Sequence, residues 1–419
     1  MIETIASFSS ARIIQKSMTS SLNITYIDKP IKYKFDKNKS YFLYLHIPFC
    51  HEFCTFCTFH KFKYNKSTCK DYFSTLRLEL IKASEEGFKF HTIYIGGGTP
   101  LIDEIELMKT IELAKKLFDI KEVSCESTPN HIDPKVLRKF DGLIDRLSIG
   151  VQTFDNKILK EISRYDKYGS SQILQEKISN IVGVVPIVSL DLIFNLATQS
   201  EKILRDDLKI AKKLNTNQIT TYPLMSSKLQ NSSFLKQLHI LKNSQEFDFY
   251  NIIREELSDY YLNNAWSFSK NKTDLSDEYV IENSEYIGLG SGAFTHLDNQ
   301  LFINAYDLIQ HSDLINKNSN AVMAVSSKFK VKKHIQYQFL VHLFSGSIDI
   351  EKFDKLFKVS LQDSLKYELF MLKLLNAIYI EKGKIYPTRF GEFLTVVMMR
   401  EFYTGMDNIR NMLRKSIIE

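Results

Sequence analysis

The sequence predicts an α/β protein built on a partial (β/α)6 barrel, with a mixed α/β extension and a mostly helical, winged-helix-like C-terminal region. Three observations predict it. From residue 40 to 225, β-rich runs alternate with stretches of helical periodicity, six times over. Such alternation implies a parallel sheet with right-handed crossovers. Residues capable of chemistry also fall at or near the ends of successive β-runs, where these sheets place their sites. Six units are too few for a closed eight-stranded barrel, so an open crescent fits.

The elements follow in order. "YFLYLHI" (41–47) reads as a strand with a cysteine loop at its end. "YFSTLRLELIKASEEG" (72–87) is a helix stopped by Gly. "TIYIGGGTP" (92–100) is a strand running into a glycine turn, and "EIELMKTIELAKKLF" (104–118) is a helix. "EVSCEST" (122–128) is a strand, and "DPKVLRKF" (133–140) opens with Asp before Pro, a helix start. Strands at 144–152, 188–196 and 218–225 alternate with helices at 155–162 and 201–214. The alternation then stops. Residues 226–327 mix helix with β-like runs, an extension expected to close the site, and 328–419 read as helical around a hairpin at 377–388. Residues 1–40 form a leader.

Composition narrows the function classes. The net charge of +6 is modest for 419 residues, and no basic block with interleaved aromatics marks a nucleic-acid module. No apolar run reaches the roughly 18 residues of a membrane span. The first residues carry Glu3 and no continuous apolar core, so no signal peptide is expected. The expectation is a cytoplasmic protein, where clustered cysteines read as metal ligands or redox thiols.

Only 5 cysteines occur, and "CHEFCTFC" holds Cys50, Cys54 and Cys57. Cys54 and Cys57 form a C-x-x-C, but not at the start of a thioredoxin-like helix. A structural zinc site wants four protein ligands, and no matching pair follows. An iron–sulfur cubane held by three thiolates keeps one iron open for a small chelator, and the C-x3-C-x2-C spacing after a barrel strand suits it.

This motif resembles that of radical S-adenosylmethionine (SAM) enzymes. The longer "YLHIPFCHEFCTFC" is similar to oxygen-independent coproporphyrinogen III oxidase and its relatives, as are "IYIGGGTP", "CESTPNHID", "DRLSIGVQTFD" and "SLDLIFNL". The resemblance implies a 4Fe–4S cluster on Cys50, Cys54 and Cys57. It implies SAM bound by Tyr44, Phe56, Gly97, Gly98, Thr99, Glu126, Gln152, Arg164 and Asp191. Phe56 is expected near the adenine, Arg164 on the SAM carboxylate, and Glu126 on the amino group or ribose. Asp191 lies in an apolar run and needs a partner or a task. His46 and His60 are expected to be structural, and "GLGSGAF" (288–294) to close the far side of the site.

The leading expectation is that a 5′-deoxyadenosyl radical abstracts hydrogen from a propionate of a tetrapyrrole-type substrate, with loss of carbon dioxide. An electron donor such as flavodoxin or ferredoxin is implied. The alternatives are a radical SAM methyltransferase or haem-degrading enzyme with two SAM molecules, and a non-catalytic haem chaperone. Two departures bear on this choice. The leader is unlike the extension of the coproporphyrinogen enzymes. A His-Asn-x-x-Tyr-Trp segment usual in haem chaperones reads here "DEYVIENSEYIGLGSGAF".

Overall fold

The structure is a computed structural model and describes residues 9–12, 22–225, 245–272 and 285–415. Residues 277–284, ahead of the glycine turn, therefore lie outside the described residues.

The strands run, in chain order, β1 (Ile24–Tyr26), β2 (Tyr41–Ile47), β3 (Phe49–Cys50), β4 (Phe62–Lys63), β5 (Phe90–Gly97), β6 (Glu122–Ser127), β7 (Arg146–Gln152), β8 (Ile187–Phe194) and β9 (Gln218–Pro223). They continue with β10 (Tyr261–Asn264), β11 (Ser267–Ser269), β12 (Tyr286–Leu289), β13 (Phe294–Leu297), β14 (Gln300–Asn304), β15 (Val322–Ser326), β16 (Ile348–Asp349), β17 (Ile378–Glu381) and β18 (Lys384–Pro387). Strands β2, β5, β6, β7, β8 and β9 lie side by side and parallel, within a few residues of their expected places.

The sheet does not stop there. Strand β12 pairs in parallel with β2, adding a seventh strand to the six expected. Antiparallel strands extend both edges, β13–β14–β15–β1 beyond β12 and β11–β10 beyond β9, to make a 13-stranded sheet. The extension and part of the leader are thus continuous with the barrel sheet.

Local chemistry explains the crossovers. Asn65 caps helix Lys66–Glu86 by accepting from the Thr68 N–H, and Gly87 ends it in the left-handed region at φ +95°. Asp103 and Ser200 cap Glu104–Leu117 and Glu201–Lys213 in the same way.

The two faces of the crescent differ in kind. Leu43, Ile93, Ile95, Val123, Leu147, Ile149, Leu190 and Ile219 belong to one buried core shared with helix residues Leu76, Leu107, Ile111 and Leu208. Alternate positions carry Tyr44, Tyr94, Glu126, Ser148 and Asp191, with Arg146 and Gln218 deeper down. Register sets Tyr44 beside Tyr94, Glu126 beside Ser148, and Gly150 beside Asp191. Period-two alternation therefore sends apolar side chains to the helices and polar ones to the concave face.

After β15 the chain is largely helical. Ile335, Phe339, Phe353, Leu361, Leu365 and Leu369 form a separate core with Ile348, Ile378 and Ile385 of the three-stranded sheet β16–β18–β17. The last helix, Arg389–Lys415, leaves the β17–β18 hairpin and returns to the barrel. Gly391 lets it start, because a Cβ there would lie 1.8 Å from the Ala377 carbonyl oxygen. We expect G391A to push this helix off the hairpin at a cost of about 1–3 kcal/mol, by overpacking against backbone. An unchanged thermal midpoint would show that helix and hairpin are not so seated.

Candidate functional site

The glycine turn and the cysteine loop are one construction. The Gly98 N–H donates to the Ile47 carbonyl and the Thr99 N–H to the Phe49 carbonyl, each at 2.8 Å. The Gly97 N–H donates to Glu126 Oε2 at 3.1 Å. All three amides are therefore spent inside the protein, and the turn offers no phosphate cradle. Each glycine has its own reason. A Cβ at Gly96 would lie 2.7 Å from Glu126 Oε1, one at Gly97 2.5 Å from His46 Cε1, and one at Gly98 2.5 Å from the Phe49 carbonyl oxygen. Gly97 also has φ +116°.

Every site residue expected from the sequence lines a single cavity of about 230 Å³, with Tyr44, Phe56, the glycine turn, Glu126, Gln152, Arg164 and Asp191 around the three cysteines. Glu126 accepts from Tyr94 Oη at 3.0 Å as well as from Gly97. Burial pushes its carboxyl up to about 7, the Gly97 amide opposes this, and the Asp191 charge adds to it. The Ser148 hydroxyl lies 2.7 and 2.8 Å from the two Asp191 oxygens and donates to that carboxylate. This is the partner that a charge in an apolar run required. Gln152 turns into the cavity through a strained backbone, φ +78°, where the register shifts after Gly150. Arg164 is buried and stacks on Tyr168 at 4.3 Å. It donates to the Gly150 carbonyl and lies with Nη1 3.2 Å from Cys54 Sγ.

The opposite wall comes from elements that sequence reasoning had not brought to the site. Strand β9 and the residues after it supply Tyr222, Leu224 and Met225, and the last helix supplies Tyr403, Asp407 and Arg410. Arg410 donates to Asp407 Oδ1 at 2.6 Å and sits over the rings of Phe294 and Phe59 at 5.0 and 5.8 Å. Tyr94, Lys61 and Lys167 were also missed. Tyr94 had a signal, since it lies two residues before Gly96 and so on the same strand face. Tyr403 and Arg410 had none, because helical periodicity cannot say what the helix meets.

His46 and His60 join the walls. His46 Nε2 lies 3.0 Å from the His60 carbonyl, so it carries the proton and Nδ1 accepts from Tyr44 Oη at 2.8 Å. Arg414 Nη2 donates to His60 Nδ1 at 2.9 Å, leaving Nε2–H for Ser291 Oγ at 2.9 Å. Ser291 Oγ in turn donates to the Tyr306 carbonyl at 2.6 Å. Burial pushes the His46 imidazole down to about 3 and holds His60 well below its usual value, so both stay neutral. The "GLGSGAF" segment stands behind this lining: it backs His46 and His60, has Gly290 tied to Glu79, and sets Phe294 under Arg410.

The donor set fits an iron–sulfur cluster. Cys50, Cys54 and Cys57 are free thiols, each partly exposed on one loop, while Cys69 and Cys125 are buried in the apolar core. The Arg164 guanidinium and, at 3.8 Å, Lys167 Nζ stand by Cys54 Sγ, so positive charge borders the loop. Among the described residues no three His, Cys, Asp or Glu converge on one metal ion. A multi-iron cluster asks for less convergence, one thiolate per iron.

Residues 44–176 match the Radical SAM superfamily. Membership of that superfamily is well supported. The chain is 27% identical over 288 residues to the heme chaperone HemW of Bacillus subtilis, covering 65% of this chain and 75% of that protein. It is 25% identical over 292 residues to anaerobilin synthase of Escherichia coli O157:H7, covering 64% and 63%. Coproporphyrinogen III oxidase (HemN) from Escherichia coli superposes with a TM-score of 0.69 over 87% of this chain and 90% of that one, at 18% identity, which shows a shared fold.

Two outcomes are expected. Because the folded Glu126 pKa lies above the unfolded value, Glu126 contributes stability to the metal-free protein that is lost as pH rises from about 5 to 8, by about 3 kcal/mol at most, beside a contribution of the same sign from buried Asp207. E126Q should remove the Glu126 share of the pH dependence in urea denaturation and leave the Asp207 share, and a slope unaltered by E126Q would locate it wholly elsewhere. R414A should raise amide hydrogen exchange across residues 402–414 and cost about 1–3 kcal/mol, since it strips the donor from buried His60. Unchanged exchange there would show that Arg414 does not hold the helix.

Proposed function

We propose that this protein is a haem-binding radical SAM protein related to HemW rather than a coproporphyrinogen dehydrogenase. The carrying observation is the second wall. Tyr222, Leu224 and Tyr403, together with Phe56 of the cysteine loop, give the cavity an apolar and aromatic lining that also carries Arg410. A flat, mostly apolar ring bearing carboxylates suits that surface. The identity to HemW over 75% of its length supports the reading.

Cys50, Cys54 and Cys57 would hold the cluster, which together with SAM supplies one-electron chemistry. Glu126, ionised, accepts from an ammonium group, and Tyr44 presents oxygen lone pairs because its proton goes to His46. Arg164 and Gln152 offer donors for carboxylate and hydroxyl groups. The last helix adds Tyr403, Asp407 and Arg410 to the cavity lining. A second reading, catalytic haem degradation, is favoured by the similarity to anaerobilin synthase and by the missing His-Asn-x-x-Tyr-Trp segment.

The test is anaerobic reconstitution with iron and sulfide, followed by haem titration with SAM and a reductant. Stoichiometric haem binding is expected, weakened about tenfold in Y403A, with haem recovered intact. Haem opened alongside SAM turnover would instead establish the second reading. A decarboxylated porphyrinogen would restore the dehydrogenase, and no haem binding would overturn both haem readings.

A further inference from the structure

The helix Lys366–Leu374 carries an outer face that does not belong on a solvated surface. Tyr367, Phe370, Met371 and Leu374 recur at i, i+3, i+4 and i+7 and are 68%, 63%, 51% and 68% exposed. The other exposed residues on this helix are Lys366 and Lys373. Lys366 Nζ stands 5.0 Å over the Tyr367 ring. The helix's one acid, Glu368, is turned away, 3.2 Å from Lys332 and 2.7 Å from Gln336. Its inner face, Leu365 and Leu369, already fills the local core, so the outer stripe is not a core face left over.

The hairpin that follows repeats the chemistry. Tyr379 and Ile380 are exposed, with Lys382 and Lys384 beside them. From 366 to 388 there are four lysines against two glutamates, and the second glutamate, Glu381, lies 4.0 Å from Lys382 Nζ. No acid on the helix stripe remains to repel an anionic surface.

We propose that this face docks the protein on an anionic phospholipid bilayer, with the apolar stripe at the headgroup–acyl boundary and the lysines on the phosphates. Size argues for lipid over protein. A nine-residue helix is about 13 Å long, and four side chains on it fall well short of the roughly 800 Å² per partner of a stable protein interface. The stripe is a ridge, not a groove, and a deformable surface accepts a ridge. The net charge of +6 adds attraction of the same sign. Docking here is peripheral, since no helix among the described residues is long and apolar enough to cross a membrane. It does not depend on what the cavity binds.

The full chain is sedimented with vesicles of phosphatidylcholine alone or with added phosphatidylglycerol, at low and high salt. Binding to phosphatidylglycerol vesicles, weakened by salt, is expected. K366E/K373E should lower it roughly tenfold or more, and F370E/L374E should abolish it. These positions are exposed, so thermal midpoints and light scattering on the same samples should match wild type. Failure of wild type to bind phosphatidylglycerol vesicles, or equal binding by F370E/L374E, overturns the proposal. So does a wild-type dimer that F370E/L374E turns into a monomer, which would make the face a contact between copies.

Discussion

The site hangs on two backbone hydrogen bonds, from the amides of Gly98 and Thr99 to the carbonyls of Ile47 and Phe49. They join the end of β5 to the first turn of the cysteine loop. That loop has little core of its own, with Cys54 and Cys57 and the residues between them outside regular structure. The join requires glycine, because a Cβ at position 98 would strike Phe49 backbone, which cannot yield as a side chain can. Gly97 adds Glu126 to the same knot. Cysteine positions, carboxylate position and turn geometry are thus one constraint.

A second knot fastens this wall to the far end of the chain. The proton positions along Tyr44, His46, His60 and Arg414 follow from donors and acceptors alone, and every member is satisfied in one direction only. Neutral histidines suit this use. A protonated His60 would carry its charge beside the Arg414 guanidinium, and its Nδ1 could no longer accept. Burial disfavours that protonation and holds the His60 imidazole neutral in this junction.

The sequence made the parallel core legible because each β-run and its helix are local patterns, bounded by caps such as Asn65, Asp103 and Gly87. The residues expected at the site were also legible, since strand ends and glycine turns carry them and the fold brings strand ends together. What was not legible depended on tertiary docking. Strand β12 reads only as a short apolar run, and nothing in it announces parallel pairing with β2 across more than two hundred residues. The last helix has helical periodicity, but Tyr403 and Arg410 look like ordinary members of it. Tyr94 was recoverable from period-two alternation, and so was Ser148, whose value shows only once Asp191 is placed beside it.

The two walls therefore hold different information. The cysteine wall draws its lining from residues 44–191 and is braced from behind by Ser291 and Arg414. The opposite wall takes Tyr222 to Met225 from the end of the barrel and Tyr403, Asp407 and Arg410 from nearly two hundred residues further on. The chain is similar both to heme chaperone HemW and to anaerobilin synthase. Motif resemblance, confined to the first wall, cannot choose between them. The choice rests on the apolar, aromatic and Arg410-bearing surface that faces it.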